Sequence, residues 1–170
     1  MIRLVGAALL TAGGAALGFG AVRRLEQRVR DLSLLSVGLA VMKRELDHRM
    51  TALPELLALA AKETKHEVSD FFRLCSVGAS HLNGRVFRQI WQQGLELVRF
   101  RIEPEDLAVV EMLGGVLGRY DGENQRQALD EALVRLNEQR KLASEQRNRL
   151  GKVYGTLGLT AGVFLVILLI

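Results

Sequence analysis

LVGAALLTAGGAALGFGAV, residues 4–22, and VYGTLGLTAGVFLVILLI, residues 153–170, contain no Asp, Glu, Lys or Arg. A bilayer core of ~30 Å needs about 20 apolar residues at ~1.5 Å rise, so both stretches are long enough to span it as helices. All 19 acidic residues lie between them, and so does every Lys and Arg except Arg3. The pattern reads as a hairpin of two transmembrane helices, 1–22 and 153–170, carrying a water-soluble module over 23–152. A cleavable signal peptide competes for the first stretch, because Gly18 and Gly20 precede Ala21 as a peptidase site would. A leader with one arginine before its apolar run and four soon after it fits poorly.

The side of the membrane follows from the flanks. Arg23, Arg24, Arg28 and Arg30 follow the first run, and Arg147, Arg149 and Lys152 lead into the second. Positive charge beside a span resists translocation, so these seven residues act as orientation determinants and place the module in the cytoplasm. In and next to the spans, Gly14/Gly18, Gly151/Gly155 and Gly158/Gly162 recur every four residues. That spacing puts small residues on one helix face and allows close backbone approach in lipid.

The module is large enough to bury a core. Its 22 Lys and Arg nearly balance 19 Asp and Glu, so the high pI of 9.6 gives no case for nucleic acid. The arginines gather where anionic headgroups are the simpler partner. One cysteine, Cys75, excludes an internal disulfide. Few prolines and scarce β-branched runs make the module all-α.

Six helices follow from periodicity. Leu25, Leu32, Leu35, Leu39, Met42 and Leu46 form a stripe at three/four spacing on a helix continuing from the first span. Pro54 opens a second helix with Leu56, Leu57, Ala60 and Ala61 inward. Val68, Phe71, Phe72, Cys75 and Ala79 mark a third, stopped by Asn83-Gly84. Val86, Phe87, Ile90, Trp91, Leu95 and Val98 make a fourth. Pro104 opens a fifth with Leu107, Val110, Met112, Leu113 and Leu117 facing in part inward. Gly118–Asp121 closes it, and Asp121 is placed to cap the sixth. Leu129, Leu133, Leu136 and Ala143 carry the sixth toward the second span. Short links imply a bundle whose first and last helices pack antiparallel.

Catalytic chemistry is not legible. His66-Glu67 begins like a zinc-protease helix, but Asp70 stands where the second histidine belongs. Gly114-Gly115-x-x-Gly118 lacks the Lys and Ser/Thr of a phosphate loop and follows no strand. Trp91 and Cys75 sit at core spacings. Carboxylates interleave with arginines as on a solvated, ion-paired surface. No enzyme, cofactor or metal is expected; an enzyme would need a deep pocket of converging polar groups.

The order of features resembles the stage III sporulation protein AB family of endospore-forming bacteria over nearly the whole chain. The resemblance is carried by Ala21-Val22-Arg23-Arg24-Leu25, Met42-Lys43-Arg44-Glu45-Leu46, Thr51-Ala52-Leu53-Pro54-Glu55-Leu56-Leu57 and Trp91. Most specific are Leu117-Gly118-x-x-Asp121-x-x-x-Gln125 and the entry to the last span, Tyr154-Gly155-Thr156-Leu157-Gly158. The chain departs from the family pattern at Tyr120, Ala52 and near His48, positions that bear on helix capping. The resemblance implies a six-helix cytoplasmic bundle like that of type II secretion platform proteins. It further implies a non-enzymatic platform or assembly component of the mother cell-to-forespore channel complex. Its place would be the mother-cell membrane around the forespore. The implied partners are a cytosolic secretion-type ATPase and other membrane components of the complex, besides the bilayer, with homo-oligomerisation left open. The alternatives are a helical adaptor of another secretion or pilus system, or a lipid-binding module.

Overall fold

The structure, a computed structural model, describes residues 2–48, 51–82, 84–118 and 122–169, with side chains for 20, 22–48, 51–82, 84–118 and 122–154. It is all helical among them. The elements are α1 (Ile2–His48), α2 (Leu53–Glu63), α3 (His66–Ser80), α4 (Phe87–Leu97), α5 (Pro104–Val116) and α6 (Gly122–Leu169). The chain divides into two compact units, residues 1–27 with 142–170, and residues 28–141. In the first unit Arg23 and Arg24 are exposed and Ala143 is buried.

The second unit is the helical body. On α1 the leucine stripe predicts the buried face well: Leu32, Leu35, Leu39 and Met42 are fully buried. Three contacts order α6 against α1. Arg28 donates to Gln139 at 3.4 Å, Lys43 pairs with Asp130 at 2.6 Å, and Asp47 pairs with Arg126 at 3.5 Å. Rising numbers on α1 meet falling numbers on α6, so the two run antiparallel as expected.

Helices α2 to α5 fill the space beside that pair. Pro54 occupies the first turn of α2, where its missing N–H costs nothing. The helix ends at Thr64, whose hydroxyl donates back to the Ala60 carbonyl at 2.8 Å. His66 then takes φ +55°, a left-handed conformation that costs an L-residue roughly 1–2 kcal/mol. Because His66 is exposed, His66→Gly should relieve the strain and raise stability by up to about 1 kcal/mol, read as a higher urea midpoint with unchanged slope. A lower midpoint would mean the imidazole makes a contact that outweighs the strain.

The centre of the core is aromatic. Phe71 meets Trp91 edge-on, with ring centroids 4.7 Å apart, and Phe100 at 5.4 Å. The Trp91 indole N–H donates to the Val110 carbonyl at 2.8 Å, which ties α4 to α5. Backbones approach closely wherever glycine faces an aromatic: Gly38 lies against Phe72, and Gly114 against Trp91. Gly118 closes α5 with φ +78°, a left-handed conformation that glycine adopts freely at a helix stop.

Two expected core residues are corrected. Met112 is 61% exposed and Val86 62% exposed. The expectation gave α5 more apolar residues than one face holds. Val109, Val110, Leu113 and Gly114 take that face, and Met112 points away. Val86 precedes α4 in extended backbone, so the period-3.6 reading starts one residue too early.

Candidate functional site

Among the described residues, the densest buried polar group lies at the pole of the helical body where Arg28, Gln139 and the start of α5 meet. Arg28 grips the Asp106 carboxylate with two bonds, Nε to Oδ2 at 2.8 Å and NH2 to Oδ1 at 3.0 Å. Asp106 is fully buried. The same Oδ2 accepts the Glu103 backbone N–H at 2.9 Å, half of a reciprocal capping box at the α5 N-terminus. One carboxylate therefore binds a cation and satisfies an otherwise orphaned helix N–H, in the positive end of the helix dipole. The Asp106 hydrogen bond, with the nearby carboxylates, holds the Arg28 guanidinium even more firmly protonated than usual.

A second carboxylate extends the junction. Asp31, also fully buried, accepts the Arg101 backbone N–H at 2.9 Å and pairs with Arg30 at 3.2 Å. The α4–α5 link and the first turn of α5 are thus each fastened to α1, the link by Asp31 at Arg101 and the helix by Arg28 at Asp106. The arrangement can hold two elements in register. It presents no substrate with converging groups, because its polar atoms face one another.

The residues singled out from sequence are scattered. Arg28 belongs to the junction and leaves the row of exposed arginines. Arg30 reaches both Asp31 and, at 3.6 Å, Glu67 on α3. Arg23, Arg24, Arg149 and Lys152 are exposed, and Arg147 hydrogen-bonds the neighbouring Asn148 side chain. Leu117 is buried and Gly118 sits over Leu53 and Phe87; Gln125 lies half-buried in the first turns of α6. Tyr120 and Asp121 lie outside the described residues, as do the surroundings of Gly14, Gly18, Gly155, Gly158 and Gly162. Gly151 is exposed, with open space where a Cβ would stand. No helix among the described residues is long and apolar enough to cross a membrane; the apolar side chains of 4–19 and 155–170 are outside that set.

Asp106 and Asp31 escaped the sequence reading, although a signal was available. Arg28 and Asp31 fall four and one residues before Leu32, on the face that Leu32, Leu35 and Leu39 continue. Charges in core register imply a buried partner. Glu103-Pro104-Glu105-Asp106 is also an acidic helix start of capping-box spacing.

No group of three metal-capable side chains occurs among the described residues. An open depression beside the α4–α5 link is lined by apolar Leu95, Val98, Phe100, Ile102 and Leu107 together with charged Glu96, Arg99 and Arg101. Cys75 is fully buried, and burial pushes its thiol up to about 12, which keeps it neutral and unreactive near pH 7.

Comparison with known proteins gives one consistent family. The family model described as stage III sporulation protein AB matches residues 3–170. Stage III sporulation protein AB of Bacillus subtilis (strain 168) is 24% identical over 171 residues, covering 99% of both chains. A solved structure of a stage III sporulation protein AB superposes with a TM-score of 0.66 at 22% identity, over 72% of this chain and 98% of that one. At that identity the superposition speaks for the helical fold.

Proposed function

The chain belongs to the stage III sporulation protein AB family, and from that premise we propose a non-enzymatic membrane platform for the channel complex between mother cell and forespore. Residues 4–22 and 153–170 would anchor it in the mother-cell membrane around the forespore. The helical body would face the mother-cell cytoplasm and dock a cytosolic secretion-type ATPase. The observation that carries the reading is the division of the chain: a charge-covered helical body between two uncharged terminal runs, with its buried polar groups spent on holding helices together. A body that passes on force from a motor needs internal ties more than a pocket.

Topology is the first test. Single cysteines placed at exposed Lys62 and Glu123, in a Cys75→Ala background, should react with a membrane-impermeant maleimide only after the membrane is opened. Labelling in intact cells would put the body outside and end the docking reading. In the wild-type protein, Cys75 should stay unlabelled in both conditions until the protein is denatured, because it is buried. Co-purification of the full-length protein with a cytosolic secretion-type ATPase of the same sporulation system is the second test. No association in any lipid or detergent would count against the platform role.

A further inference from the structure

We infer that the pole of the helical body formed by the end of α3, the α3–α4 link and the start of α4 docks an acidic protein face with an apolar centre. The inference rests on the docking reading above and assigns the surface that reading leaves open. Four large apolar side chains are exposed within thirteen residues: Leu74 at 44%, Val77 at 60%, Leu82 at 41% and Val86 at 62%. Leu74 and Val77 follow each other on the outer side of α3, while Phe71, Phe72 and Cys75 take its inner side. Isolated exposed apolar residues are ordinary, but a cluster with a charged rim marks an interaction surface.

The segment that builds the patch carries charge of one sign. From Phe71 to Leu95 there is no Asp or Glu, while Arg73, Arg85 and Arg88 are all exposed there. Asp70, one turn earlier, pairs with Arg73 and offsets it, which leaves Arg85 and Arg88 as the principal charge. Such a surface is complementary to carboxylates around an apolar centre. It is also held in shape before any partner arrives. Gly84 takes φ +81° in the link, Arg85 N–H closes a turn onto the Leu82 carbonyl at 2.8 Å, and Gly78 lets Ile90 pack directly on the α3 backbone. Preorganisation lowers the cost of binding.

The contacts of α3 place the patch at one pole of the helical body. The start of α3 meets Arg30 through Glu67, Phe72 packs on Gly38, and Ser76 donates to the Pro54 carbonyl at 2.7 Å. Hence α3 runs parallel to α1, and its end lies at the pole marked by Asp47 and Leu53. The chain enters and leaves the body at Arg28 and Lys141, at the other pole. Arg28 and Asp47 are 19 residues apart on α1, about 29 Å at ~1.5 Å per residue. The patch therefore lies at the pole of the body opposite the one where the chain enters and leaves it.

The test uses the full-length protein in nanodiscs and, as the probe, the cytosolic secretion-type ATPase of the docking reading. Arg85→Glu/Arg88→Glu and, separately, Val77→Ser/Val86→Ser should each weaken binding about tenfold or more, with unchanged helicity and melting temperature. Wild-type binding should weaken as salt rises, and the arginine variant should respond less. Arg99→Glu, near the other pole, should bind like wild type. If wild type binds and both patch variants bind within twofold of it, the assigned face is wrong while the docking reading stands. If wild type does not bind, both fall. Loss of binding to phosphatidylglycerol vesicles in place of the ATPase would assign the patch to lipid and overturn the inference. A change in oligomer size with ATPase binding intact would assign it to a second copy and overturn it as well.

Discussion

Asp106→Ala is expected to lower the stability of the protein by about 3–5 kcal/mol, the range typical of breaking a buried ion pair from one side. The loss is larger than that of a surface pair, worth ~0–1 kcal/mol, because neither partner can turn to water. Asp106 is fully buried and the Arg28 side chain is 11% exposed. Removing the carboxylate leaves a guanidinium with Gln139 at 3.4 Å as its remaining side-chain hydrogen-bond partner and strips the Glu103 N–H of its acceptor. Asp106→Asn should be milder, since the amide oxygen can still accept one of these bonds while the charge is lost. The pair Arg28→Met/Asp106→Leu should recover much of the loss, because apolar replacements remove the uncompensated charge and leave mainly a lost cap of ~1 kcal/mol. Urea unfolding of the full-length protein in detergent, followed by the fluorescence of its one tryptophan, reads all three. A loss under 1 kcal/mol for Asp106→Ala, or a double variant no better than the single, would show that the junction does not organise the fold.

That junction also marks where sequence reading stops. The helices were legible because each buries a stripe of leucines, valines or aromatics at helical spacing, and because Pro54, Pro104, Gly84 and Gly118 punctuate them. Trp91 and Cys75 were placed correctly in the core on spacing alone. Arg28 was legible as a positive charge near an apolar run but not as half of a pair, since its partner lies 78 residues away. A single sequence carries no information on which distant carboxylate a buried arginine meets. Met112 failed for a related reason: α5 offers apolar residues all round, and only the neighbouring helices decide which side is inside. The exposed cluster on α3 and the α3–α4 link was hidden likewise, for Leu74 and Val77 look like core until Phe71 and Phe72 are seen to occupy it.

The second large effect concerns how near α4 and α5 can come. Trp91→Ala should cost about 3–5 kcal/mol, as for other buried aromatic truncations, since Trp91 is fully buried and touches Phe71, Phe72 and Phe87. Gly114→Ala should cost about 1–3 kcal/mol for the opposite reason, overpacking. A Cβ at position 114 would stand 2.5 Å from Trp91 Cδ1, 2.8 Å from Cγ and 3.0 Å from Cβ. The clash is at the root of the indole, so no rotation of the ring relieves it without moving α4. The two substitutions act on one space, and their effects should not add. Trp91→Ala/Gly114→Ala removes the Cδ1 and Cγ contacts and lets the new methyl fill part of the void. The double variant should therefore be more stable than the sum of the singles by about 0.5–3 kcal/mol, the coupling expected of residues in contact. Circular dichroism must follow these variants, because the fluorophore is gone in two of them. Additivity within ~0.3–0.5 kcal/mol would mean that Gly114 is there for some reason other than the approach of the indole, and that the α4–α5 spacing is set elsewhere.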